Sequence, residues 1–199
     1  MKTIKPINSC NLCELCYNRK PVNGIGNINA EIMIIINKPN YYTVKNDNIF
    51  ESEVGNILTK LFKMINIDIK DNVYITHLVK GRSLTLKSKN VLACSNYLRN
   101  EIKEVNPKII ISMGYLPTKF ILKDKKPLYN HIGKAYKTKQ DSYIIPMYDI
   151  NYVMRDIKLH GLAVRDFTNL YKLYKHFINP NIATFESKLH PAIKTMLNK

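Results

Sequence analysis

The sequence predicts an α/β fold, a three-layer α/β/α sandwich around a four-stranded, mostly parallel sheet. Two observations carry this. Continuous apolar runs rich in β-branched residues have the character of strands buried on both faces, as in parallel sheets. Between them lie segments whose apolar residues recur at three and four, the period of an amphipathic helix. Strands that alternate with helices make layered α/β architectures.

The first strand is Ile32-Met33-Ile34-Ile35-Ile36, an unbroken apolar run. The second, Val73-Tyr74-Ile75-Thr76, follows a Lys70-Asp71-Asn72 turn. Lys108 to Met113 is the third, stopped by Gly114, and Tyr143 to Met147 is the fourth. Val54, Ile57, Leu58, Leu61, Phe62 and Ile65 predict a helix over residues 52–65. Val91, Cys94, Leu98, Ile102 and Val105 predict another over 89–106, and Leu162 to Phe177 a last one. Right-handed crossovers bring the loops that follow the strands to one edge of the sheet, where ligands bind in such folds. Those loops begin at Asn37, His77, Gly114 and Tyr148. No internal repeat is present. Residues 1–179 read as one domain, and 180–199, with Pro180, Pro191 and several lysines, as a basic tail.

The chain has 199 residues, 45% of them hydrophobic, enough to bury a full core. No run of 18 apolar residues suggests a transmembrane helix. Met1 to Ser9 lacks the apolar stretch of a secretion signal, so a cytoplasmic protein is expected, in a host cytoplasm if the gene is viral. The 31 basic and 15 acidic residues give a net charge of +16, which calls for a polyanionic partner, most simply nucleic acid. The plainer source of that charge is a Lys/Asn/Ile-rich composition. An acidic membrane surface fits less well, because no basic amphipathic helix stands out.

Three of the four cysteines, Cys10, Cys13 and Cys16, fall at steps of three in one loop, and the fourth is Cys94. Clustered thiols in a non-secreted chain favour metal over disulfides. Their spacing suits a soft metal or an iron–sulfur cluster closed by a distant ligand.

Taken together, these residues resemble the family 4, or iron–sulfur, uracil-DNA glycosylases. That family opens with C-x-x-C-x-L-C/H-x-x-R, matched by Cys10, Cys13, Leu15, Cys16 and Arg19. Its V-x-G-x-G turn is matched by Val22, Gly24 and Gly26, and its P-F-x-G-x-x-G-x-x-L segment by Ile49 to Leu58. V-Y-I-T-N-x-V-K-C-R-P resembles Val73 to Ser83, A-C-x-x-Y-L resembles Ala93 to Leu98, and N-P-K-x-I-x-x-L-G resembles Asn106 to Gly114. The late H-P-x-x-L-L-R falls on Asp149 to Arg155. The match covers about residues 9–177. It implies the uracil-DNA glycosylase fold and DNA as a partner.

The scaffold letters are kept and the chemical ones replaced. The family's G-E-x-P-G reads Ile36-Asn37-Lys38-Pro39-Asn40. The glutamate near the attacking water becomes Asn37, which can place a water but cannot take its proton. Asn40 replaces a glycine at a position where asparagine tolerates a left-handed backbone. The uracil-reading asparagine falls on His77, whose ring offers donor and acceptor on opposite sides rather than side by side. The plainer reading of His77 is a strand-end histidine. The histidine that donates to the departing base falls on Asp149. A donor aimed at developing negative charge typically contributes ~10²–10³ in rate, and a carboxylate supplies none. Phe50 stands where the family stacks a flipped base, and equally suits a core position. A later His190-Pro191-Ala192 repeats the lost letters in the tail, far from any strand.

The resemblance assigns metal ligands to Cys10, Cys13, Gly81 and Cys94. Glycine cannot ligate, so Cys16 is the expected replacement, giving Cys10, Cys13, Cys16 and Cys94 around a 4Fe-4S cluster. Zinc on the same thiolates, or metal-free thiols, are the alternatives. Lys38, Lys80, Arg82, Lys87 and Arg155, with Lys45, Lys89, Lys158 and Arg165, flank the strand-end loops and should add into a DNA-binding groove. The expected function is a DNA-binding relative with little or no uracil excision, an accessory of replication or repair with a protein partner there. The alternative is an active glycosylase that flips a different base and uses Asn37, His77 and Asp149 on it.

Overall fold

The computed structural model describes residues 2–16 and 20–177. The four expected strands form the centre of one sheet: β2 (Ile32–Ile36), β3 (Val73–His77), β4 (Ile109–Met113) and β6 (Tyr143–Met147), all parallel. Among the described residues the sheet has six strands rather than four, in the order β1-β3-β2-β4-β6-β5. The additions are β1 (Ile25–Gly26), antiparallel to β3, and β5 (Tyr136–Lys137), antiparallel to β6. Both are two-residue edge strands, too short to carry a periodicity that a sequence could display. The 180–199 tail, His190 within it, and Arg19 of the cysteine loop lie outside the described residues.

The alternation along β2 divides the core. Ile32, Ile34 and Ile36 face α2 (Glu53–Met64), α6 (Ile150–Met154) and α7 (His160–Phe177), where Leu58, Phe62, Ile150, Phe167 and Leu170 complete one apolar cluster. Phe62 and Phe167 meet edge to face at 5.2 Å between centroids, a favoured aromatic geometry. Met33 and Ile35 face α4 (Ser88–Val105) and α5 (Tyr115–Leu122), and pack with Cys94, Leu98, Val105, Leu116 and Phe120. Helices on both faces of a parallel sheet give the three layers that the sequence predicts.

Ends of the helices follow local chemistry. The Ser52 side chain accepts from the Gly55 amide and starts α2. The Asn90 side chain accepts from the Lys87 amide at the start of α4, and Asn106 ends it in a left-handed conformation. The short helices α1 (Tyr41–Asn46), α3 (Ile69–Asn72) and α6 span at most two turns, so periodicity did not announce them.

The end of β3 departs from expectation. Lys80, expected on the DNA surface, is only 1% exposed. Its ammonium lies 2.6 Å from a Glu101 carboxylate oxygen and donates to the Thr76 hydroxyl at 2.5 Å. Thr76 and Tyr74 donate to Glu101 as well. Burial pulls the Lys80 ammonium below its ordinary value, and the Glu101 carboxylate opposes that. The sequence showed a lysine next to a strand-end loop; the partner that draws it inward is 21 residues away on α4.

His77, on the last position of β3, is also buried, and its Nδ1 has no hydrogen-bond partner among the described residues. Burial, reinforced by the Lys80 charge, holds its imidazole down to about 3.

Two expectations follow. Lys80→Met leaves Glu101 buried without its counter-ion and should destabilise the protein by about 3–5 kcal/mol, with most of the loss recovered by adding Glu101→Leu. Urea denaturation followed by circular dichroism measures both. Because His77 in the folded state protonates only near 3, against 6.5 when unperturbed, the unfolded chain binds the extra proton between these values. Stability from this residue is therefore complete above the upper value and declines as pH falls, by up to ~1.4 kcal/mol per pH unit. Urea midpoints at about pH 7 and about pH 5 should show a drop that His77→Asn reduces.

Candidate functional site

At the C-terminal ends of the central strands lies a cavity of about 400 Å³. Asn37, Lys38, Pro39, Asn40 and Tyr41 enter it after β2, Arg82 and Ser83 after β3, and Asp149, Asn151, Tyr152 and Arg155 after β6. Three loops converge because parallel strands deliver their ends to one edge.

Local capping fixes two of the replaced positions. Asn40 precedes α1 with φ −85°, and its Oδ1 accepts from the Thr43 amide at 2.8 Å. The left-handed conformation allowed for it from sequence is not used: the residue is a helix cap. Asp149 precedes α6, and its Oδ1 accepts from the Asn151 amide at 2.8 Å and from the Asn151 side-chain amide at 3.0 Å. Gly114, at φ +93°, lets the loops close, since a Cβ there would lie 3.3 Å from the Asp149 Cβ.

Asn37 sits at the mouth of β2. Its main-chain oxygen accepts from the Val79 amide at 3.2 Å. Its side-chain Oδ1 is buried without a partner among the described residues. The Lys38 ammonium donates to the carbonyls of Ser83 and Leu84, tying the β2 loop to the β3 loop. Partial burial and then the Arg82 charge lower the Lys38 ammonium from its ordinary value, while Asp149 opposes this. The Arg82 guanidinium lies over the Tyr41 ring, 5.7 Å from its centroid.

Thus Asn37, Asp149, Lys38, Arg82 and Arg155 share one cavity. Others are placed elsewhere. His77 is buried in the sheet and does not line the cavity. Phe50 lies in a 3₁₀ turn, Ile49–Glu51, half-buried against the core cluster of α2, rather than in the cavity wall. Lys80 is withdrawn into its ion pair, and Lys87 is exposed at the start of α4, outside the cavity lining. Ile36 belongs to the core and neither it nor Tyr148 blocks the opening. Tyr41, Asn151 and Tyr152 were not singled out from sequence. The signal available was an aromatic pair directly after a strand-end turn.

The cysteines gather near one another, with Cys94 against the Lys80 main chain. Cys16 ends a 3₁₀ turn, Glu14–Cys16, and its amide donates to the Cys13 carbonyl. Cys16 and Cys94 are buried, Cys10 and Cys13 partly so, and none of the four is in a disulfide. Cys94 accepts a hydrogen bond from the Lys80 amide at 3.4 Å. Burial, then the neighbouring Cys10, Cys13 and Cys94, push the Cys16 thiol up to about 12. The four side chains are therefore close enough to resist one another's ionisation. Among the described residues no group of three or more His, Cys, Asp or Glu side chains has the geometry of a formed metal site. At Gly81 a Cβ would lie 2.8 Å from the Leu15 Cβ, so the glycine is what lets the cysteine loop rest on this strand end. Four gathered thiols have the chemistry of a soft-metal donor set, and of the three in the loop Cys16 is the buried one.

No helix among the described residues is long and apolar enough to cross a membrane.

Comparison with known proteins agrees with this geometry. Residues 23–172 match the model of the uracil DNA glycosylase superfamily. A type-4 uracil-DNA glycosylase of Sulfurisphaera tokodaii is 30% identical over 183 residues, 86% of this chain and 83% of that protein. One from Saccharolobus solfataricus is 34% identical over 133 residues, 65% of this chain and 62% of that protein. A DNA polymerase of Bacillus phage SP01 is 26% identical over 172 residues, 85% of this chain but only 18% of the polymerase. By fold, by motif order and by these matches, the chain belongs to the uracil DNA glycosylase superfamily, as a divergent relative of the type-4 enzymes.

Proposed function

We propose that this protein binds DNA through the cavity edge and serves DNA replication or repair as an accessory, with little or no uracil excision. The observation that carries the reading is Asp149. Where the resemblance requires a hydrogen-bond donor toward the departing base, this chain presents a carboxylate whose Oδ1 is committed to capping α6. Loss of such a donor removes about 10²–10³ in rate. Asn37 removes the general base, and His77 is withdrawn from the cavity. What remains is cationic: Lys38, Arg82 and Arg155 around one opening on a chain of net charge +16. The relationship to a segment of a phage DNA polymerase supports a replication setting with a protein partner, and an intracellular location accords with it.

One observation favours a second reading, an active glycosylase of altered base specificity. The cavity is unblocked, and Asn37 Oδ1 is a buried acceptor with no partner among the described residues. A buried acceptor on a residue that lines the cavity suits an ordered water, the reactant that a glycosylase needs.

The cysteine loop holds a structural 4Fe-4S cluster through Cys10, Cys13, Cys16 and Cys94. When bound, that group would neutralise the mutual repulsion of the four thiolates and pin the N-terminal loop to α4.

Oligonucleotides carrying uracil, hypoxanthine or modified pyrimidines, incubated with the protein and then treated with alkali, test the first claim. The expected result is no strand breakage, together with salt-dependent binding of ordinary DNA. Breaks at one base would establish the second reading, and failure to bind DNA would reject both. For the cluster, protein purified without oxygen should be brown and contain iron and sulfide, and Cys16→Ser should lose the colour. Zinc in place of iron would select the other metal, and iron retained in Cys16→Ser would remove Cys16 from the ligand set.

A further inference from the structure

The edge of the cavity carries more than charge. Tyr41 and Tyr152 are each 55% exposed, and both line the opening, one after β2 and one after β6. β2 and β6 are separated by β4, so their ends stand roughly 10 Å apart. Leaving two large rings in water costs apolar burial, and neither ring is loose. Tyr41 has the Arg82 guanidinium over it at 5.7 Å and the Tyr42 ring edge-on at 5.4 Å. Tyr152 has Tyr148 beside it at 6.0 Å between centroids. On the loop after β3, which lies beside β2 on the side away from β6, Leu84 is 88% exposed, and its carbonyl is held by the Lys38 ammonium at 2.7 Å.

We propose that this edge is a stacking platform for single-stranded DNA, with Tyr41 and Tyr152 each taking the face of an unpaired base and Arg82 and Arg155 holding the phosphates. The proposal rests on the reading that the chain binds DNA, and names which form. Rings interleaved with guanidinium groups are the chemistry of single-strand grooves: every base has a face to stack, and the backbone supplies the anion. Duplex DNA hides its base faces within the helix and offers these rings only the phosphate exterior. A protein partner would leave Arg82 and Arg155 without a systematic anion, whereas a nucleic-acid strand supplies one per nucleotide. Lys38, spent on the Ser83 and Leu84 carbonyls, is a positioning residue for the Leu84 loop rather than a phosphate ligand.

The test uses the full chain and fluorescence anisotropy with labelled oligothymidylate of roughly 20 nucleotides, longer than common single-strand site sizes, and with a duplex of equal length. Wild-type protein should bind the single strand more tightly at the same salt. Tyr41→Ala and Tyr152→Ala should each weaken single-strand binding by roughly 5- to 150-fold, leave duplex binding within about 2-fold, and be rescued by Tyr→Phe. Circular dichroism confirms that the variants fold. Equal or tighter duplex binding by the wild type would overturn the proposal, as would alanine variants that weaken both forms alike or neither. Those results leave salt-dependent DNA binding intact, so they fail this proposal alone; absence of binding to either DNA fails the proposed function as well.

Discussion

The buried pair of Lys80 and Glu101 is the constraint on which the rest of the site depends. A lysine ammonium and a glutamate carboxylate taken out of water are tolerated because Thr76 and Tyr74 add hydrogen bonds to the same carboxylate. With its side chain anchored in α4, Lys80 has a fixed main chain. Its amide donates to Cys94 and its carbonyl accepts from Val22. The next residues inherit that placement. Gly81 supports Leu15 of the cysteine loop, and Arg82 reaches over Tyr41. One buried ion pair thus anchors the stretch of chain from which both the cysteine loop and the cationic edge of the cavity are positioned.

The central architecture was legible because its signals are long. The β2 run is apolar at every position, and the α2 and α4 periodicities extend over three turns or more, so both period and length distinguish helix from strand. The edge strands and the short helices were not legible. A two-residue strand such as Tyr136–Lys137 is defined by its neighbour, Tyr143–Ile144, and not by anything within itself.

The candidate site divides in the same way. Asn37 and Asp149 could be found because a motif fixes their place after a strand, and the fold then brings those strand ends together. Lys80 and His77 could not be placed from their type. A lysine turns inward only when a remote carboxylate is waiting, and a strand-end histidine is exposed or buried according to what packs over it. Tyr41 and Tyr152 were overlooked for the opposite reason. Aromatic residues are ordinarily credited to the core, and only exposure measured on the fold separates a ring that faces water from one that does not.

The capping role of Asp149 has a consequence for how this position can change. Its Oδ1 starts the short helix that carries Tyr152 and Arg155. A histidine at this position would supply a donor to the cavity, yet give up a cap worth about 1 kcal/mol. One carboxylate thus couples the chemistry of the cavity to the placement of Tyr152 and Arg155, so that a change at position 149 acts on both at once.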